Sequence, residues 1–341
     1  MIENKNILIV GAGLSGATIA RELAENGYKI LIIDKKDHVA GHCFDYTSDD
    51  GIRIHKYGPH IFHTSNNLVI NWLSKFTNWV DYEHKVVAKL FDGRLVPFPP
   101  NKNTLEYVAH DDLVETFYRP YSEKMWGKTL EELNPKIIHR VPIRPDNEDR
   151  YFPKDKFQKL PAEGYTKLVE NLLKHPSIEL KLNTKFEKSM QKNILHTFNS
   201  MPIDEYFDFC FGELPYRSIK FHHEVLNKHK KTNNAVVNFT DTKKFTRETE
   251  WKNFPSHGDN PLKTQLTLEE PCDYMENNHE RYYPINDADG INRKKYREYS
   301  DIIPKDLTFI GRCGQYIYID MDQAVSSSLS LSRKFIEKRN S

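Results

Sequence analysis

Two stretches of the 341-residue chain carry residue types and spacings that could do chemistry. In Asn6-Ile-Leu-Ile-Val-Gly-Ala-Gly-Leu-Ser-Gly16, three glycines (Gly11, Gly13, Gly16) keep a G-x-G-x-x-G spacing directly after an apolar run. Glycine in such a turn lets the backbone come close to a pyrophosphate, and a helix starting there offers unpaired N–H groups and a positive dipole end. Asp34 follows at the distance where an acid can bond a ribose hydroxyl. Three glycines beside an apolar run can also be a plain turn. A strand before, a helix after and an acid closing the next strand make dinucleotide binding the reading, without separating FAD from NAD. The second stretch, Ile54-His-Lys-Tyr-Gly-Pro-His-Ile-Phe-His-Thr64, brings His60 and His63 close together. An imidazole there could tune a cofactor, or be a satisfied structural group.

The elements that must position these residues follow from periodicity. Ile7 to Val10 is a buried strand, the helix after the turn continues through Ala17 to Asn26 and stops at Gly27, and Lys29 to Ile33 is a second strand. Helical spacing of Leu68, Val69, Trp72, Leu73 and Phe76 predicts a helix from Asn67 to Trp79. Glu83 to Leu90 and Arg94 to Phe98 read as a hairpin about Asp92-Gly93. A helical region over Thr104 to Leu133 precedes a polar, Pro-broken loop over Pro135 to Phe157. Tyr165 to Leu173 reads as a helix, Ile178 to Asn183 as a strand and Pro202 to Phe211 as a short helix or turn. Alternation in Ala235 to Phe239, Thr246 to Trp251 and Lys263 to Leu268 predicts an antiparallel sheet. A surface helix within Asn286 to Lys305, a strand Leu307 to Ile310 and a helix Met321 to Lys338 complete the chain.

Composition narrows the class. Lys plus Arg is 49 against 48 Asp plus Glu, so no global basic field invites nucleic acid or an anionic membrane. The uncharged stretch Asn6 to Ala20 is too short to span a bilayer, and a cytoplasmic protein without membrane insertion is expected. Cys43, Cys210, Cys272 and Cys313 are scattered, which suggests neither a metal site nor a disulfide framework.

Motifs spread along nearly the whole chain carry a resemblance. They are His55 to Thr64, Tyr121-Ser-Glu-Lys-Met-Trp-Gly127, Arg140-Val-Pro-Ile-Arg144, Gly164-Tyr-Thr-Lys-Leu168, Pro202-Ile-Asp-Glu-Tyr-Phe-Asp208, Asn238-Phe-Thr-Asp241, Tyr282-Tyr-Pro-Ile-Asn286, and Gly311-Arg312 followed by Tyr318-Ile-Asp-Met321. In this order they resemble the flavin-dependent UDP-galactopyranose mutases. The resemblance implies an α/β fold: a Rossmann-like FAD-binding domain, an antiparallel β-sheet substrate domain and a shortened helical insert. It implies FAD, active in its reduced form and so dependent on NAD(P)H or another external reductant. The implied reaction interconverts pyranose and furanose forms of a nucleotide sugar, foremost UDP-galactopyranose, for surface polysaccharide synthesis. Reduced flavin N5 takes the anomeric carbon, the diphosphate leaves and later returns, and no net redox change results.

The same resemblance assigns roles. Arg140 and Arg247 match diphosphate-binding arginines, where guanidinium can hold a leaving group that gains charge. Phe117, Tyr121, Ser122 and Trp126 match the wall that receives the base, although as a pattern they equally suit a buried helix face. Tyr151, Tyr283 and Tyr318, with Asp320, match substrate-holding positions. His60 and His63 fall beside the flavin as acid–base candidates. Gly11, Gly13, Leu14, Ser15, Gly16, Asp34, Lys35, Gly41, His42, His60, Ile61, Arg312, Asp320 and Met321 match the cofactor-binding set.

The implied domain division groups 1–82, 190–214 and 305–341 as the FAD-binding domain, and 83–100, 135–189 and 215–304 as the substrate domain. Residues 101–134 are the residual helical segment. Three departures stand out. Only about Thr104 to Arg119 remains of an insert that in the family walls the nucleotide pocket and contributes dimer contacts, so oligomer formation stays open. Ala40-Gly41 replaces a double glycine, and Met201 replaces a glycine before Pro202. A related NDP-sugar (UDP-N-acetylgalactosamine or a dTDP-linked 6-deoxy sugar) is an alternative substrate. A flavin oxidoreductase of the amine-oxidase type and a non-catalytic flavoprotein are alternative functions.

Overall fold

The computed structural model describes residues 6–133, 142–285, 287 and 289–340. At its centre lies the strand Asn6–Val10, with Ile7, Leu8 and Ile9 wholly buried. An apolar run without alternation is what a strand covered on both faces requires. It pairs in parallel with Lys29–Ile33 on one side and His196–Asn199 on the other. Ile178–Lys181 and Leu307–Phe309 form the two edges of this five-stranded parallel sheet. Helix Leu14–Glu25 packs against helices Met321–Asn340 and Tyr165–Leu173. Ile178–Lys181 falls in the 135–189 span grouped above with the substrate domain. Its pairing with Lys29–Ile33 puts it in the parallel sheet instead.

The second layer is a seven-stranded sheet ordered Tyr283–Pro284, Tyr216–Leu226, Thr264–Asp273, Arg247–Glu250, Val236–Phe239, Val86–Lys89, Leu95–Phe98. All neighbours are antiparallel except Val236–Phe239 with Val86–Lys89, which run parallel, so the sheet is mixed and not wholly antiparallel as predicted. Phe62–Thr64, Phe157–Pro161 and Trp79–Asp81 make a small three-stranded sheet. Its presence explains a difference from the sequence reading. The helix that begins at Asn67, capped by the Asn66 side chain on the Leu68 and Val69 amides, stops at Leu73 because Trp79–Asp81 is drawn into pairing with Phe157–Pro161.

The shortened insert is built from single turns, a wide π-helical turn over Val114–Tyr118 and a helix Arg119–Trp126. Gly127, in the left-handed region, ends that helix. The Lys124 ammonium donates to the carbonyls of Phe239, Asp241 and Phe245 at 3.1, 2.8 and 2.9 Å, and Arg217 Nε donates to the Met125 carbonyl at 2.8 Å. Lys124 thus pins the insert to the large sheet, giving its motif a structural reason beside any functional one. No helix among the described residues is long and apolar enough to cross a membrane.

Candidate active site

The Gly-rich turn is built by packing that only glycine allows at two positions. Gly11 sits at φ +104°, and a Cβ there would lie 1.9 Å from Ser200 Oγ. A Cβ on Gly16 would lie 2.0 Å from the Gly11 carbonyl oxygen, so glycine here brings helix and strand together. Gly13 differs. A Cβ there meets only the Gly41 backbone, at 3.7 and 3.9 Å, ordinary contacts, so the protein's own packing does not demand a glycine. The space in front of it belongs to a cavity of about 460 Å³.

That cavity is lined by Gly11, Gly13, Leu14, Ser15, Gly16, Asp34, Lys35, Gly41, His42, His60, Arg312, Asp320 and Met321. Ile61, from the same proposed set, lines a neighbouring cavity instead. Helix Leu14–Glu25 starts at the cavity with no side-chain cap and no acid in its first turn, leaving its amides to an anion. Asp34 is buried, and both carboxylate oxygens already accept: Oδ2 from the Ala12 amide at 2.8 Å, Oδ1 from the Lys36 amide at 2.9 Å. Asp34 therefore also ties the turn to the second strand, and a ribose hydroxyl would share it. Ala40 holds φ +69° without being glycine, a conformation that costs about 1–2 kcal/mol. Met201 lines the cavity where a glycine was looked for.

Uncapped amides, an open glycine and the partly buried Arg312 guanidinium fit a dinucleotide. Arg312 donates to the carbonyls of Tyr282 and Ile319 at 3.3 and 3.0 Å and lies 5.0 and 4.9 Å from the Tyr283 and Tyr318 ring centres. Burial opposes its charge, but the surrounding tyrosine hydroxyls outweigh that and raise its pKa. At one edge of the cavity Glu280 accepts from Lys36 Nζ at 2.8 Å and lies 2.8 Å from His42 Nε2. Burial holds the His42 imidazole down to about 4 against the help of Glu280. The link to Glu280 was not legible in the sequence, since 238 residues separate the two partners.

His60, Arg312, Asp320 and Met321 also line a second cavity of about 390 Å³, so the two spaces adjoin. The second cavity brings together His63, Tyr151, Arg247, Tyr283, Tyr318 and Asp320 from the predicted set. Arg247 lies 3.7 Å from Glu269 and donates to the Tyr121 hydroxyl at 3.4 Å, while its buried Nε has no hydrogen-bond partner. Burial opposes its charge, yet Glu269 and the hydroxyls of Tyr121, Tyr151 and Tyr283 hold its pKa above the ordinary value. Burial raises the Glu269 pKa, with Arg247 pulling the other way. The charged guanidinium beside a substrate-sized space is what a leaving diphosphate needs.

The histidines separate. His60 Nδ1 donates to the Gly58 carbonyl at 2.8 Å, which leaves Nε2 as an acceptor. Burial is the main reason its pKa falls to about 3, so it is neutral. His63 is engaged, with Nδ1 2.7 Å from Asp155 Oδ2 and its ring stacked on Phe152 at 3.5 Å. Sequence reasoning missed His84 and Asn238 as lining residues. His84 is held neutral at about 3, mainly by burial. Asn238 lay in a quoted motif, and its buried Oδ1 is unpartnered. His84 had no such signal.

The proposed base-binding residues spread out. Phe117 is 3 % exposed and packs in the core against Phe98, with no place on either cavity wall. Ser122 is buried in helix Arg119–Trp126. Tyr121 and Trp126 pack in a cluster with Tyr282 and Tyr283, and the Trp126 ring centre is 6.3 Å from that of Tyr283. Arg140 lies outside the described residues.

Fold and cavities together define a Rossmann-like α/β protein with two adjoining cavities, one of them at the Gly-rich turn. A family model described as UDP-galactopyranose mutase matches residues 116–318, and one described as an NAD(P)-binding Rossmann-like domain matches residues 9–76. The UDP-galactopyranose mutase of Mycoplasma genitalium is 34% identical over 98% of this chain and 96% of its own. The dTDP-fucopyranose mutase of Escherichia coli is 31% identical over 97% of this chain and 98% of its own. A crystal structure of reduced UDP-galactopyranose mutase superposes with a TM-score of 0.77 at 16% identity, covering 97% of this chain and 94% of that one. The chain belongs to the UDP-galactopyranose mutase family, and is an isomerase of the nucleotide-sugar pyranose/furanose class. By contrast, a flavin-containing amine oxidase B of Cavia porcellus is similar over only 33% of this chain and 22% of its own.

Proposed function

We propose that this protein interconverts UDP-galactopyranose and UDP-galactofuranose with reduced FAD, NAD(P)H or another external donor supplying the electrons, and that the product serves surface polysaccharide synthesis. The observation that carries the reading is Arg247, a partly buried charged guanidinium whose buried Nε is unpartnered, lining a cavity that adjoins the glycine-turn cavity. Reduced flavin, when bound, supplies a nucleophilic nitrogen for the anomeric carbon without net oxidation. The chain's own residues do the rest. Arg247 binds the diphosphate and gains most from it as charge builds on the departing oxygen. Arg140 is its proposed partner from the sequence motif. Tyr151, Tyr283 and Tyr318 line the same space, and the Tyr283 and Tyr318 rings stack at 5.4 Å, closing the wall beside Arg312. Neutral His60 offers Nε2 as an acceptor for a sugar hydroxyl.

A second substrate is favoured by the 31% identity to a dTDP-fucopyranose mutase over nearly the whole chain. Dithionite-reduced, FAD-loaded protein is incubated with UDP-galactofuranose, UDP-N-acetylgalactofuranosamine and dTDP-fucofuranose, and each pyranose is followed by chromatography. UDP-galactofuranose is expected to convert fastest. Faster conversion of the dTDP sugar would replace the nucleotide assignment, and no conversion of any would overturn the function.

A further inference from the structure

His60 lines both cavities, and its backbone amide is held by the first of two linked histidines that the mechanism above does not use. His55 ends the strand Arg53–His55 and is 1% exposed; His257, 202 residues later, is 2% exposed. Their Nε2 atoms are 3.0 Å apart. His55 Nδ1 accepts from the His60 amide at 3.0 Å, and His257 Nδ1 lies 2.8 Å from the Pro255 carbonyl oxygen.

The protons along this line have one consistent arrangement. A carbonyl only accepts, so His257 carries its proton on Nδ1 and leaves Nε2 as a lone pair. An amide only donates, so His55 Nδ1 is bare and its proton sits on Nε2, pointing at that lone pair. His60 in turn carries its proton on Nδ1 toward Gly58. Burial, the largest cause in each, keeps all three rings neutral, which this arrangement needs. Trp251, 4.9 Å from the His55 ring centre, and Tyr165, at 5.5 Å and edge-on, wall the pair off. The Tyr165 hydroxyl also donates to the His60 carbonyl at 3.1 Å, so both backbone polar groups of His60 are held by side chains.

We propose that His55 and His257 are positioning residues for the isomerase reaction: a neutral imidazole couple that fixes the Gly58–His60 turn and through it the His60 ring at the junction of the two cavities. The inference rests on the functional reading above, so its test has an arm that needs no turnover. With ¹⁵N-histidine-labelled, FAD-loaded protein at pH 7, NMR should find His60 and His257 protonated at Nδ1 and His55 at Nε2. Any of the three in the other tautomer, or charged, would overturn the arrangement whatever the enzyme's substrate.

In turnover, His257→Leu leaves the His55 N–H without an acceptor. It is expected to lower kcat about tenfold with KM within twofold and FAD content unchanged. His257→Gln, whose amide can accept from His55 and donate to Pro255, should recover kcat to within twofold of the natural protein. Wild-type kcat in His257→Leu, or a His257→Gln variant as slow as the leucine variant, would overturn the positioning role. Should the leucine variant fail to fold, the glutamine variant and the spectrum still decide.

Discussion

Arg247, partly buried, and Glu269, buried, form a pair whose members have different jobs, and separating them tests the site. Arg247→Ala should keep the yellow FAD spectrum, because Arg247 lines only the second cavity, while turnover falls about 100-fold or more. The loss should be accompanied by a new pH dependence. Glu269 already has a raised pKa from burial, opposed only by Arg247. A carboxyl whose folded pKa lies above its unfolded value is stable in place at low pH and loses that contribution as pH rises through the folded value. Thermal melts of Arg247→Ala should therefore fall away from the natural protein as pH rises from 4.5 to 8, and Glu269→Gln added to it should flatten the difference. Melting curves parallel across that range would refute the pairing. At this scale the sequence was legible where chemistry is local. The glycines and Asp34 lie within one turn and the strand after it, and they share a cavity wall with His60 and Arg312, whose place there no local pattern reports. Phe117 was not legible, because an aromatic at helical spacing reads alike whether it faces a ligand or the core, where it lies.

The Gly-rich turn, as an element, makes opposite demands on its glycines. Gly16→Ala forces a Cβ to 2.0 Å from the Gly11 carbonyl oxygen, which neither strand nor helix can yield. It should lower Tm by several degrees with or without cofactor. Gly13→Ala meets nothing closer than 3.7 Å and should fold with a near-normal Tm, yet bind FAD at least tenfold more weakly in a fluorescence titration. Equal FAD affinity in Gly13→Ala would mean that the open space is not the cofactor's. The first strand was readable from its unbroken apolar run, and its helix from the Gly-rich turn before it and Gly27 after it. Tyr216–Leu226, the longest strand, went unread because Ser218 is buried while Phe221 is only partly so and Val225 is 52% exposed, which removes the alternation. The parallel pairing of Val236–Phe239 with Val86–Lys89 was likewise hidden, since it joins segments about 150 residues apart and no local pattern reports direction.

Across the whole molecule, folding keeps several imidazoles neutral that would titrate freely in the unfolded chain. Burial lowers His42, His196 and His257 to about 4 and His60 and His84 to about 3. Between pH 6.5 and 4 the unfolded chain takes up protons that these folded rings refuse. Each therefore removes about 1.4 kcal/mol of stability per pH unit in that window and nothing above it. Tm should be flat from pH 7 to 8 and drop steeply below pH 6; a melt unchanged down to pH 5 would mean these rings are not held neutral. The same enclosure surrounds the proposed chemistry, and the redox state of the cofactor tests that chemistry most directly. One FAD-loaded preparation, given UDP-galactofuranose in its dithionite-reduced and its oxidised form, should make UDP-galactopyranose at least 100-fold faster when reduced, with the flavin's electrons still present at the end. Equal rates in the two states, or flavin oxidation in step with product, would contradict the account.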